Sequence, residues 1–257
     1  MNTEGNTRIV GGRGQPAIPQ SGWRAKRAVT LVEVLVVIGI MSLLMAILLP
    51  AIDKVKRQAR AIACTNNMRQ IGIAAGMYAE DWNFYIPRAA QDTTGLWFEL
   101  FMPYLGHRNV TGDYSGVENF RCPSYPDRRQ RICYVVNGWQ FLSENDQTGF
   151  ETTEPTKLST CRQREKTIYL ADGENGWWRK IVTCVTDEGV DRFDVWNTAH
   201  LPASDLMDFT FGRRVGRRRH RKGANCLYLD WHVGYVPAVE MTLDMWRFHT
   251  PKSTGRD

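Results

Sequence analysis

Residues 29–52 constrain this chain more than any other stretch. From Val34 to Ile52 a run of apolar side chains is interrupted only by Gly39, Ser42 and Pro50. A helix of that length covers about 28 Å, close to a bilayer hydrocarbon core of about 30 Å. One carboxylate, Glu33, stands just inside the segment. A charge within such a helix costs about 2.5–3.5 kcal/mol on insertion scales, so Glu33 calls for a partner. Arg8, Arg13, Arg24, Lys26 and Arg27, set against Glu4, place +4 of the chain's net +6 ahead of the segment. That asymmetry keeps the N-terminus cytoplasmic and sends the remaining chain outward. Residues 1–25 have no apolar core of their own. No Ala-x-Ala exit follows the segment, so a conventional cleaved secretory signal is not expected.

The exported side would then carry all six cysteines, Cys64, Cys122, Cys133, Cys161, Cys184 and Cys226. An even number in an oxidising compartment permits disulfides. Cys122 and Cys133 enclose a short loop and are the easiest local pair, with Cys64–Cys122 as a competitor. No Cys-x-x-Cys occurs, so neither a zinc ribbon nor a thioredoxin-like motif is supported.

Beyond the apolar run, Cys64, Met68, Ile71, Ala75, Tyr78 and Trp82 recur at alternating spacings of four and three, the stripe of an amphipathic helix. The spacing predicts one helix from about Thr30 to Glu80, kinked or loosened at Pro50, which lacks a backbone donor. After Asn83 the pattern changes to short apolar runs between turn residues. A short helix is expected over 96–105, with strands at 132–136, 167–171 and 181–185. The longest strand is expected over Asn225–Val236, with Trp231 on its core face and Asp230 and His232 on the other. The fold class is therefore α+β: a long N-terminal helix, transmembrane and then amphipathic, packed on an antiparallel β-sheet head. Residues 1–28 read as a cytoplasmic leader, 29–84 as the transmembrane and assembly helix, and 85–257 as the globular head.

The sequence around Ala28-Val29-Thr30-Leu31-Val32-Glu33, followed by about twenty apolar residues, resembles the N-terminal signal of type IV prepilins and pseudopilins. The resemblance implies cutting by a prepilin peptidase between Ala28 and Val29 and methylation of the new N-terminus. Ala28 and Val29 replace the family's usual Gly before the cut and Phe or Met after it. Glu33 matches the family's carboxylate and Pro50 its proline. Glu33 would pair with the amine of a neighbouring subunit in a filament, where two charges costly alone become tolerable together. His220, nine residues and Asp230 resemble the His-x9-Asp-Gly signature of large pseudopilin-like proteins, with Trp231 where that group has Gly. Blocks at 63–74, 78–81, 121–123, 134–137 and 225–233 are also similar to that group.

These resemblances imply a structural subunit of a type II secretion filament, with an adhesion or DNA-uptake pilin, or a membrane-anchored periplasmic binding module, as alternatives. The implied partners are copies of the chain, other pseudopilins, the prepilin peptidase and the inner membrane. The implied location is a single-pass inner-membrane protein with its head in the periplasm. No catalytic constellation stands out, since there is no Gly-rich phosphate loop, His-Glu-x-x-His or Gly-x-Ser-x-Gly. An enzyme is not expected, nor a cofactor or metal. His220, Asp230 and His232 are expected in a hydrogen-bonded structural network. Asp187, Glu188, Asp191 and Asp194 give only a weak calcium signal. The basic run Arg213–Lys222 lacks interleaved aromatic residues for nucleic-acid stacking and is expected as a solvated loop, with nucleic acid an unlikely partner.

Overall fold

A computed structural model describes residues 29–107 and 112–248. The leader, including Ala28, and the last residues of the expected head, 249–257, lie outside the described residues. Helix α1 is continuous from Leu31 to Asp81, as the periodicity requires, with Pro50 inside it. The chain divides into two units after Pro50.

In the first unit every described side chain is exposed. This part of α1 is long and apolar enough to cross a membrane, with a mean hydropathy of 2.8 over its most apolar stretch. Ser42 does not break that character, because its hydroxyl donates to the Ile38 carbonyl at 2.7 Å.

In the second unit the amphipathic stripe does what its spacing predicts. Cys64, Met68, Ile71, Ala75 and Tyr78 are buried. Trp82, the last member of the expected stripe, lies past the helix end, half exposed and stacked on Tyr78 at 5.4 Å. Asn83 and Phe84 close the helix at φ +52° and +63°, with the Phe84 amide donating to the Ala79 carbonyl at 2.6 Å. The short helix expected at 96–105 is α2, Trp97–Phe101, continued by a 3-10 turn over Met102–Leu105. Its Trp97, Phe98 and Phe101 join Phe120 in an aromatic core of edge-to-face contacts.

The main sheet has five strands: β1 (Tyr134–Asn137), β2 (Ile168–Asp172), β3 (Asp194–Val195), β4 (Gly223–Tyr228) and β5 (Val233–Pro237), in the order β5-β4-β2-β1-β3. The pairs are antiparallel except β1 with β3, where Val136 faces Asp194 in a parallel register, so the sheet is mixed rather than wholly antiparallel. The expected single strand at 225–236 is instead the β4–β5 hairpin, which reverses at Leu229–His232. The Trp231 amide closes the turn on the Tyr228 carbonyl at 2.9 Å, and Trp231 itself sits at φ +72°. Glycine adopts that backbone region freely and tryptophan rarely. Trp231 is therefore half-buried at a hairpin tip rather than central in a strand.

Residues 181–185 do not form a strand either. The Asp187 carboxylate accepts the amides of Thr183 (2.6 Å) and Cys184 (2.9 Å), wrapping the segment around a side chain instead of a ladder.

The hairpin tip meets α1 at two glycines. A Cβ on Gly72 would lie 2.9 Å from Leu227 Cδ1, and one on Gly76 would lie 3.3 Å from the indole nitrogen of Trp231. Bare backbone at both places lets helix and hairpin approach.

Candidate functional site

At the start of α1, Thr30 and Glu33 cap each other. The Glu33 amide donates to Thr30 Oγ1 at 3.2 Å, while Glu33 Oε2 accepts the Thr30 amide at 2.8 Å and its hydroxyl at 3.0 Å. This reciprocal capping box satisfies orphan donors of the first turn and places a carboxylate at the positive end of the helix. Val29, the residue that would carry a new N-terminus, is 70% exposed. Thr30 escaped the sequence reading although Thr-x-x-Glu is the spacing of such a box.

In the head, four buried side chains from four segments converge. Cys64 comes from α1, Cys122 from the loop ahead of β1, Asp172 from the end of β2 and His220 from the turn before β4. Their Sγ, carboxylate and imidazole atoms all lie within 4.8 Å of one another. Cys64 Sγ donates to Asp172 Oδ1 at 3.2 Å and lies 3.5 Å from Tyr134 Oη. Cys122 Sγ is 3.4 Å from His220 Nε2, which is also 3.4 Å from Asp172 Oδ2. The Asn225 amide donates to Asp172 Oδ2 at 2.8 Å. Asn67, one turn from Cys64, donates to the Arg121 carbonyl at 2.8 Å and so fixes the Cys122 loop against the helix.

The electrostatics of this group are mutual. A hydrogen bond from Cys64, then His220 and the charge of Arg219, pull the Cys122 thiol down to about 4, against burial. The same hydrogen bond, burial and the Asp172 carboxylate push Cys64 well above the ordinary thiol range. Burial, then the Cys122 charge, raises Asp172 to about 6. Burial works to lower His220, yet the bond to Cys122 and the Asp172 charge leave it above its ordinary value. The group thus favours negative charge on the Cys122 sulfur and disfavours it on the Cys64 sulfur.

A family described as the prokaryotic N-terminal methylation motif matches residues 23–49, covering Ala28, Val29 and Glu33. This is a type IV prepilin-like chain. A second family, described as a protein of unknown function (DUF1559), matches residues 54–116, the amphipathic part of α1 and the start of the head. No curated protein and no solved structure matches the chain. The motif carries with it processing by a prepilin peptidase and pilus-type assembly, and the exposed apolar half of α1 is consistent with membrane anchoring.

The remaining candidates of the prepilin-like chain are scattered. His220 and Asp230, joined in the sequence signature, stand at opposite ends of β4. Asp230 Oδ1 is 2.6 Å from His232 Nδ1, and that imidazole stacks on Tyr228 at 4.2 Å, an exposed arrangement separate from His220. The expected three-residue network is therefore two, because β4 spans the nine-residue gap. All six cysteines are free thiols. Cys64 and Cys122 share the buried group, whereas Cys133 Sγ points to the Gln130 carbonyl at 4.0 Å.

The basic run is not a solvated loop throughout. Arg213 pairs with Glu174 at 2.6 Å and Arg214 with Asp194, both out of solvent. Arg218, Arg221 and Lys222 are exposed. The acidic residues of the calcium reading diverge: Asp187 accepts backbone amides, Glu188 meets Lys180 at 2.9 Å and Asp194 meets Arg214. Asp172 went unnoticed in the sequence. Its signal was a carboxylate ending the otherwise apolar strand Ile168–Ala171.

Proposed function

We propose that this prepilin-like chain is a pseudopilin-type structural subunit of a type II secretion filament. It is cut between Ala28 and Val29, and its head is held in the periplasm. Its work is assembly rather than catalysis. The observation that carries the reading is the N-terminal methylation motif on a helix whose apolar half is exposed along its whole described length. Side chains such as Leu31, Leu43 and Ile47, each at least 66% exposed, require either lipid or neighbouring helices. In the filament, Glu33 exchanges its bonds to Thr30 for the Val29 amine of the next subunit, which sets the stagger between helices. Other pseudopilins are the partners at the filament tip.

A DNA-uptake filament would need the basic run Arg213–Lys222 to meet phosphates, and that alternative weakens once Arg213 and Arg214 are committed to internal carboxylates. Mass spectrometry of the mature chain tests the processing step. The expected N-terminus is N-methyl-Val29; an intact Met1 or a cut after Pro50 overturns the filament reading. Loss of secreted folded proteins on deletion of the chain, with adhesion and DNA uptake unchanged, is the outcome expected of a secretion filament.

A further inference from the structure

The buried group of Cys64, Cys122, Asp172 and His220 has no part in the filament reading. We propose that it is a structural zinc site, with both thiolates, one Asp172 oxygen and His220 Nε2 as the four ligands of one ion. Two sulfurs, an imidazole nitrogen and a carboxylate oxygen complete the closed, four-coordinate shell that zinc takes in structural sites. Thiolate and imidazole donors set magnesium and calcium aside.

The His220–Asp172 distance separates a shared ion from a direct ion pair. With Zn–S of about 2.3 Å and Zn–N or Zn–O of about 2.0–2.1 Å, a tetrahedron has S–N and S–O edges of about 3.5 Å and an N–O edge of about 3.4 Å. The observed edges are 3.4 Å for Cys122–His220 and 3.4 Å for His220 to Asp172 Oδ2, while Cys64 lies 3.2 Å from the other oxygen of that carboxylate, Oδ1. A charged N–H···O⁻ bond lies near 2.7–2.9 Å, so the imidazole and carboxylate stand too far apart for a good ion pair and at the right spacing to share an ion. Without one, the wholly buried Asp172 carboxylate has the Asn225 amide and a thiol, a weak donor, as its hydrogen-bond donors.

Charge closes as well. Two thiolates and a carboxylate carry −3, zinc +2, and Arg219 supplies the last positive charge. Arg219 acts on Cys122 and Asp172, donates to the Gly173 carbonyl and lies over Tyr125 at 4.2 Å. Its Nε and Nη1 are buried and have no hydrogen-bond partner among the described residues. Binding displaces two protons to solvent, that of the Cys64 thiol and the one shared between Cys122 and His220, so no oxidant or reductant is involved.

The groove that reaches His220 is lined by Lys54, Arg57, Arg60, Arg219 and Arg221. A positive rim does not draw in a cation, so zinc is captured as the head folds, and the folded head resists chelation. Oxidation to a Cys64–Cys122 disulfide is the competing fate of the same thiols.

The test uses the full chain, produced in zinc-supplemented medium and purified in detergent. Elemental analysis is expected to find about one zinc per chain, retained through native EDTA treatment and released on denaturation with Cys64 and Cys122 recovered as free thiols. Cys64→Ser, Asp172→Asn and His220→Gln should each lower zinc content by about tenfold or more. Cys184→Ser and His232→Gln should leave it unchanged. Because a ligand variant can fail to fold, the unmutated chain is also produced with cobalt. The expected spectrum shows the intense visible bands of tetrahedral cobalt with sulfur-to-cobalt charge transfer. Zinc-free protein, a Cys64–Cys122 disulfide or a pale octahedral cobalt spectrum overturns the proposal.

Discussion

The two halves of α1 share one backbone and one set of hydrogen bonds, yet their surfaces are opposite in kind. From Leu31 to Pro50 every side chain is exposed and nearly all are apolar; from Cys64 to Ala79 eight residues of the helix are buried. The glycines make the same contrast. Among the described residues no packed neighbour lies within 4 Å of a Cβ built on Gly39, whereas one on Gly72 would meet Leu227 and Trp231. The second half has its partners within the chain. On the proposed reading, the first half is finished by lipid at one stage and by other subunits at the next.

The sharpest way to break this comparison is Glu33→Ala. Filament assembly, measured in a sheared-filament fraction, is expected to be lost while carbonate-resistant membrane insertion is retained. Assembly at the normal level would remove Glu33 from the subunit contact. Next in size is a paired truncation. Ile71→Ala, at a fully buried position, should lower head stability by about 2–5 kcal/mol in denaturant titration. Leu44→Ala should leave that transition within about 0.5 kcal/mol. Equal losses would mean that the apolar half is also packed against its own chain. The smallest effect comes from the glycines. Gly72→Ala must displace a Leu227 methyl in a filled core and should cost about 1–3 kcal/mol by thermal unfolding. Gly39→Ala should leave the melt unchanged. A Gly39→Ala chain that folds normally but assembles poorly would place a neighbouring subunit in that open space.

The helix was legible because its two signals are local: a long apolar run, and a four-three spacing that held from Cys64 to Tyr78. The mixed sheet was legible only in part. Tyr134–Asn137 and Ile168–Asp172 lie within a residue or two of expectation, since apolar β-branched runs fix strands well when both faces are buried. The β4–β5 hairpin was hidden by Trp231, which occupies a positive-φ position without being glycine, so no turn signal broke the alternation. Residues 181–185 misled in the opposite sense: a β-branched run was held in irregular form by one aspartate four residues downstream.

At the buried group, three of the four residues were marked individually, Cys64 and Cys122 as a possible pair and His220 through its signature. Their convergence is a tertiary fact, since Cys64 and Asp172 are 108 residues apart and Cys122 and His220 are 98. The periodicity of one element cannot report on that. The inward arginines are another such case, because Arg213 and Arg214 look like any others in a basic run until Glu174 and Asp194 face them.

Cys64 is the first buried residue of α1 counted from the membrane-competent end. On the proposed reading, a subunit extracted from a bilayer, or loaded within a filament, transmits tension along this helix. Between Leu31 and Ala63 no side chain is buried to share that load. Force therefore reaches the head first at Cys64, where the helix is tied to Asp172 at the end of a central strand. That tie is the first in a row, continued by Asn67, Met68, Ile71 and Tyr78, that resists peeling of the helix away from the sheet.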